Sequence, residues 1–133
     1  MNSSFIFKKK FTLDKRKEES AKIREKYSDK IPIIVEKSKK SKIKDIDKNK
    51  FLVPSDMTLS QFIYVVRKRI KISSTETLFF FVNNTLCNNS SLLSEIYNTY
   101  KDNDGFLYIV YTSENNLLHC SAELLSSSKF LNS

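Results

Sequence analysis

Two cysteines, one histidine and a close pair of aspartates are the residues whose types could carry chemistry. Cys120 follows His119, and a thiol beside an imidazole base is the minimum for a nucleophilic cysteine. Neighbours in an extended chain point to opposite sides, however, so adjacency alone makes no dyad. Cys87 and Cys120 are the only cysteines, too few and too isolated for a disulfide framework or a zinc site. Their expected role is that of small, reduced hydrophobes. Asp45 and Asp47 alternate on an expected loop, where solvation or pairing with nearby lysines explains them better than acid–base work. No histidine or carboxylate set has metal-ligand spacing. Gly105 is the only glycine, which forbids a glycine-rich phosphate loop. No enzyme, metal or cofactor is expected.

The remaining question is what the chain could bind. Its 133 residues suit one domain. At that size, folding hides roughly two thirds of the unfolded surface, so no staple is needed. Ten Phe and six Tyr are ample for a core. No apolar run approaches the ~20 residues of a membrane span. The opening MNSSFIFKKKFT places its charges after a very short apolar patch, the reverse of a secretory signal, so the expected compartment is the cytoplasm. The net charge of +8 is uneven: residues 1–50 hold 17 Lys/Arg against 8 Asp/Glu, and residues 51–133 hold 6 against 7. That asymmetry suits an anionic partner, whether nucleic acid, membrane headgroups or an acidic peptide, or simply a solubilising surface. Nucleic acid is the weaker option, because the signatures of common RNA modules and zinc fingers are missing.

These residues must be positioned by a short series of elements. Phe5 to Lys10 has a helical turn among its options. Asp14 to Tyr27 is rich in helix formers, with an Ile23–Tyr27 pair and a small Ala21 suited to close approach. KIPIIVEK, Lys30 to Lys37, reads as a strand, and its early Pro32 predicts a marked exposed side. A lysine-rich connection follows, anchored weakly by Ile43 and Ile46. FLVP, Phe51 to Pro54, is a second short strand. Thr58 and Gln61 form a capping-box pattern ahead of a helix burying Leu59, Phe62, Ile63, Val66 and Ile70. Its basic end, Arg67 to Lys71, suits the negative pole of the helix dipole. Thr77 to Asn84 is a strand closed by an Asn-Asn turn. Ser90 or Ser91 is expected to cap a short helix, and Gly105 to take a positive φ ahead of the last strand. The order predicts an α+β fold: a mixed, four-stranded β-grasp sheet with a crossover helix on one face and N-terminal helices on the other.

Taken together, KIREKYSDKIPIIVEK, FLVPSDMTLSQFIYVVRKRI, LFFFVNN and YKDNDGFLYIVYTSEN resemble the autophagy ubiquitin-like modifier family, which includes GABARAP and its light-chain relatives. The likeness runs from about Phe11 to Asn115. It implies a ubiquitin-like β-grasp preceded by two N-terminal helices. It also implies a division into a helical extension (1–28), a core (29–117) and a tail (118–133) expected to be flexible.

The resemblance implies a peptide reader for autophagy receptors and adaptors. Ligands carry an aromatic residue and, three positions on, an aliphatic one, and add as a strand to the edge formed by Lys50 to Val53. By position, the aromatic pocket falls to Glu19, Ile23, Pro32, Ile34, Lys50, Leu52 and Phe106. The aliphatic pocket falls to Phe51, Val53, Pro54, Met57, Phe62, Val65 and Val66. Lys30, Lys48, Lys50 and Arg67 match a basic rim that attracts acidic flanks of the ligand. Apolar residues at these positions would equally be written for an ordinary core.

Family members are cut after a C-terminal glycine by a processing protease, then joined through it to phosphatidylethanolamine by conjugation enzymes. Here Leu118 stands at that position, and no glycine follows Gly105. The resemblance implies action at autophagosome or other vesicle membranes, with the processing protease, the conjugation enzymes and a membrane phospholipid among its partners, while Leu118 leaves the attachment step without its usual residue. The alternatives are a non-lipidated regulatory peptide-binding paralogue and a basic nucleic-acid or anionic-membrane binder.

Overall fold

The computed structural model of the chain describes residues 5–113. Its elements are α1 (Ile6–Lys10), α2 (Leu13–Lys26), β1 (Lys30–Lys37), β2 (Lys50–Pro54), α3 (Leu59–Ile70), β3 (Leu78–Val82), β4 (Thr85–Leu86), α4 (Leu93–Tyr100) and β5 (Leu107–Ser113). Leu118, His119, Cys120 and the expected tail lie outside the described residues.

The strands form one sheet in the order β2-β1-β5-β3-β4, with β1 and β5 parallel and every other pair antiparallel. This is the expected α+β β-grasp with one more strand. The extra strand, β4, comprises only Thr85 and Leu86, too short for an alternating pattern to show in the sequence. Asn83 and Asn84 take φ of 51° and 61°, the two left-handed residues a tight primed hairpin turn requires, and so fold β4 back onto β3.

The sheet has two apolar layers. On one face, α3 and α4 close over Ile31, Ile33, Val35, Phe80, Leu107 and Ile109 with the inward face of α3. The capping box is formed, Thr58 Oγ1 accepting from Gln61 N and Thr58 N donating to Gln61 Oε1 at 2.9 Å. On the other face, Phe5 and Phe7 pack on Ile34, Phe106 and Tyr108. The Glu36 carboxylate on β1 holds α1 in place, accepting from Ile6 N and Phe7 N at 2.9 Å each.

Three local expectations change. No serine side chain caps α4; Leu92 is its N-cap residue, and the Leu92 amide is satisfied by Glu95 Oε1 at 3.0 Å. Helix α2 does not approach through Ala21, which is exposed. Its buried residues are Arg16 and Ser20, because the 102–106 turn offers them polar partners. Strand β1 has no exposed side over Ile31–Val35; it lies between β2 and β5, and Pro32 is accommodated there by the ladder geometry described below.

Candidate functional site

Strand β2 lies at one edge of the sheet, and among the described residues its only strand neighbour is β1. Their register places Ile33 opposite Phe51, Pro32 opposite Leu52 and Ile34 opposite Lys50. Val35 N donates to Asn49 O at 2.8 Å and Ser55 N to Asp29 O at 3.0 Å, which fixes the odd-numbered residues of β1 in the hydrogen-bonded pairs. Antiparallel ladders alternate, so Pro32–Leu52 and Ile34–Lys50 are non-hydrogen-bonded pairs. Two consequences follow. Pro32 owes β2 no donor, and on its other side the β5 register begins one residue later, at Ile33. The N–H and C=O groups of Lys50 and Leu52 point away from β1, toward the open edge.

Side chains alternate across β2. Lys50 and Leu52 lie toward α2, and Phe51 and Val53 lie toward α3. Leu52 is 38% exposed, an apolar side chain on an unpaired edge. Beside it the Lys50 ammonium pairs with the Glu19 carboxylate of α2 and sits 5.8 Å from the centre of the Phe7 ring. Ile23 of α2 is half-buried against the same layer.

Not every expected residue reaches an open surface. Ile34 and Phe106 are fully buried, because Phe7 of α1 packs edge-on to Phe106 with centroids 5.3 Å apart and Phe5 covers Tyr108 at 4.8 Å. They are a sealed floor, not an open wall. On the α3 side, Phe51, Val53, Phe62 and Val66 belong to the main core, with Phe51 edge-on to Phe62 at 5.4 Å. Above them Pro54, Met57 and Val65 share an open depression of about 630 Å³ with Asp56, Ser60, Gln61 and Tyr64.

Of the expected basic rim, Lys48 lies exposed with its ammonium 5.0 Å from the Phe51 ring centre. Lys30, half-buried, stands opposite Pro54. Arg67 is committed to the α3–β3 connection, donating to Glu76 O at 2.6 Å and Ser73 O at 3.1 Å.

The β2 edge and α2 rest on a junction that sequence reasoning missed. Asp104 is buried in the turn before β5, and its carboxylate meets Arg16 Nη1 at 2.6 Å, the Tyr108 hydroxyl at 2.5 Å and Phe106 N at 2.8 Å. Ser20 donates to Asp104 O, and Lys8 pairs with Asp102 at 2.6 Å. These contacts fix α1 and α2 to the sheet and so set the width between Glu19 and Lys50. The available signal was an arginine on a helix and a DND run in a turn, residue types that are exposed in most proteins.

Chemistry of another kind has little footing. Burial raises the Cys87 thiol above its ordinary range, the wrong direction for a nucleophile. Among the described residues no cluster of His, Cys, Asp or Glu could hold a metal ion, and no helix is long and apolar enough to cross a membrane.

The family model described as "Autophagy protein Atg8 ubiquitin like" matches residues 15–117. The chain belongs to the Atg8 family. It is 54% identical over 115 residues to autophagy-related protein 8e of Arabidopsis thaliana, covering 86% of this chain and 94% of that protein. Autophagy-related protein 8B of Oryza sativa subsp. indica is 57% identical over 109 residues, covering 82% and 92%. The crystal structure of Trypanosoma brucei ATG8 superposes with a TM-score of 0.80 at 42% identity, over 84% of this chain and 96% of that one. The Atg8 match takes in every strand of the sheet and ends one residue before Leu118. The chain is thus an autophagy-related protein of ubiquitin-like fold.

Proposed function

We propose that this chain is a non-enzymatic reader of autophagy receptor and adaptor peptides, taking an aromatic-x-x-aliphatic segment as an added strand on β2. The carrying observation is the outward-facing backbone of Lys50 and Leu52 on an edge that no other strand of the described residues covers. Two such residues offer an incoming strand a donor and an acceptor each, and main-chain bonds of this kind supply affinity in strand addition.

The ligand spacing fits the same geometry. In an extended peptide, residues three apart point to opposite faces. The apolar surfaces flanking β2 also lie on opposite faces: Leu52, Ile23 and the stem of Lys50 toward α2, and Pro54, Met57 and Val65 toward α3. An aromatic side chain would enter on the α2 side, against Leu52, Ile23 and the stem of Lys50, with Phe7, Ile34 and Phe106 as the floor beneath. Lys48 and Lys30 favour ligands with acidic flanks, tuning encounter rate and selection more than affinity.

Leu118 occupies the position of the glycine through which the resemblance implies phosphatidylethanolamine attachment, so conjugation at that residue is no part of this reading.

Titration of a synthetic aromatic-x-x-aliphatic peptide against Lys50→Glu/Leu52→Ala tests the groove. The expected result is loss of measurable binding with an unchanged far-UV spectrum. Undiminished affinity would overturn the assignment.

A further inference from the structure

We propose that residues 38–47 of the β1–β2 connection and the C-terminal end of α3 form a docking surface for anionic lipid bilayers, separate from the peptide groove. The connection is long and carries no regular structure, yet its shape is fixed. Ser41 is buried, and Ile43 and Ile46 pack against the main core. The Lys37 ammonium donates to Ser38 O at 3.1 Å and Ser41 O at 2.8 Å, and the Tyr111 hydroxyl donates to Lys44 O at 2.8 Å. With Ser41 and Ile43 turned inward, Lys40, Lys42 and Lys44 stand exposed on the outward side.

The end of α3 adds to the same surface. Arg69 Nε bonds Asp47 Oδ1 at 2.9 Å, drawing the connection against the helix terminus, where Lys68 and Lys71 are exposed. Lys39, Lys40, Lys42, Lys44, Lys68 and Lys71 form no ion pair with any described residue, Asp47 is engaged by Arg69, and Asp45 is the remaining acid in the connection. A cluster of this size beside a bilayer attracts phosphatidylserine or phosphoinositide headgroups additively, each lysine contributing to the same diffuse field.

A bilayer suits these residues better than a nucleic acid. Lysines are compact, hydrated point charges that act through a diffuse field and lack the planar fork suited to bidentate reading of base edges. Single-stranded nucleic acid is held largely by stacking on aromatic rings. The exposed ring nearest on α3, Tyr64, already has the Lys68 ammonium 5.1 Å from its centre.

The experiment is co-sedimentation of the full chain with phosphatidylcholine vesicles containing about one third phosphatidylserine, against pure phosphatidylcholine and against polyuridylate. The full chain is expected to bind anionic vesicles at low salt, to release at high salt, and to ignore neutral ones. Lys40→Ala/Lys42→Ala/Lys44→Ala is expected to weaken vesicle binding by roughly 100-fold while keeping the melting temperature and the affinity for the groove peptide. The matching triple arginine variant is expected to bind like the parent, since only charge matters. Binding that survives the alanine triple, that is equal on neutral vesicles, that is lost in the arginine triple, or that depends on these lysines for polyuridylate alone would overturn the proposal.

Discussion

Pro32 on β1 faces Leu52 on β2 across a non-hydrogen-bonded position of the ladder. A proline inside a covered strand is tolerated there because no donor is required of it. The same alternation turns the Leu52 amide and carbonyl outward. One feature of register thus explains both an unexpected residue in β1 and the outward-facing backbone groups of β2.

The buried Asp104 carboxylate is the keystone of the helix–sheet junction. Asp104→Ala removes the acceptor shared by Arg16, Tyr108 and Phe106 N and leaves the largely buried Arg16 uncompensated. Urea unfolding is expected to show a loss of about 3–5 kcal/mol. A loss below about 1 kcal/mol would mean that Arg16 finds water or another partner.

Gly105 is placed where no other residue fits well. Its φ is +94°, and an added Cβ would clash with the Ser20 side chain. Gly105→Ala should therefore cost more than about 1 kcal/mol. Combining it with Ser20→Gly, which removes the clashing side chain, is expected to restore part of the melting temperature but not the part due to φ.

Alkaline pH is expected to unfold the protein through its buried tyrosines. Burial, with Asp45 nearby adding to it, pushes the Tyr111 hydroxyl from 10.0 up to about 12. Burial and Asp104 likewise raise Tyr108. A group raised in the folded state stabilises it fully below its unfolded value and loses that contribution as pH climbs through the folded one. Stability attributable to Tyr111 is thus intact below about pH 10 and falls away toward pH 12. Tyrosinate absorbance followed alongside circular dichroism should show ionisation and unfolding rising together, and Tyr111→Phe should flatten that part of the stability curve.

Intact-mass analysis of the chain from cells induced for autophagy addresses Leu118. A mass without a phospholipid adduct is expected. Truncation combined with a phosphatidylethanolamine mass would show that conjugation proceeds without the glycine.

The parts legible in sequence were those governed by local rules. The Thr58–Gln61 box, the spacing from Leu59 to Ile70, the Asn83-Asn84 turn and the positive φ of Gly105 all follow from nearest-neighbour chemistry. What escaped depended on distant partners. The burial of Arg16 and Ser20 has no local signal, because Asp104 lies more than eighty positions away. Two-residue β4 has too few positions for any period. Phe5 and Phe7 gave no sign that they would seal Ile34 and Phe106, since a five-residue helix carries no signal of which face it covers. The residues assigned to the proposed groove came from position in the resemblance, while which of them are exposed and which are buried required the packing.

The most direct test of the β2 reading acts on the backbone alone. Leu52→Pro deletes the outward N–H and, because that N–H is not bonded to β1, spares the internal ladder; Leu52→Ala controls for the lost side chain. Calorimetric titration of the aromatic-x-x-aliphatic peptide is expected to show Leu52→Pro binding about tenfold more weakly than Leu52→Ala, the value of one main-chain hydrogen bond, with similar melting temperatures. Equal affinities in the two variants would contradict strand addition at this edge.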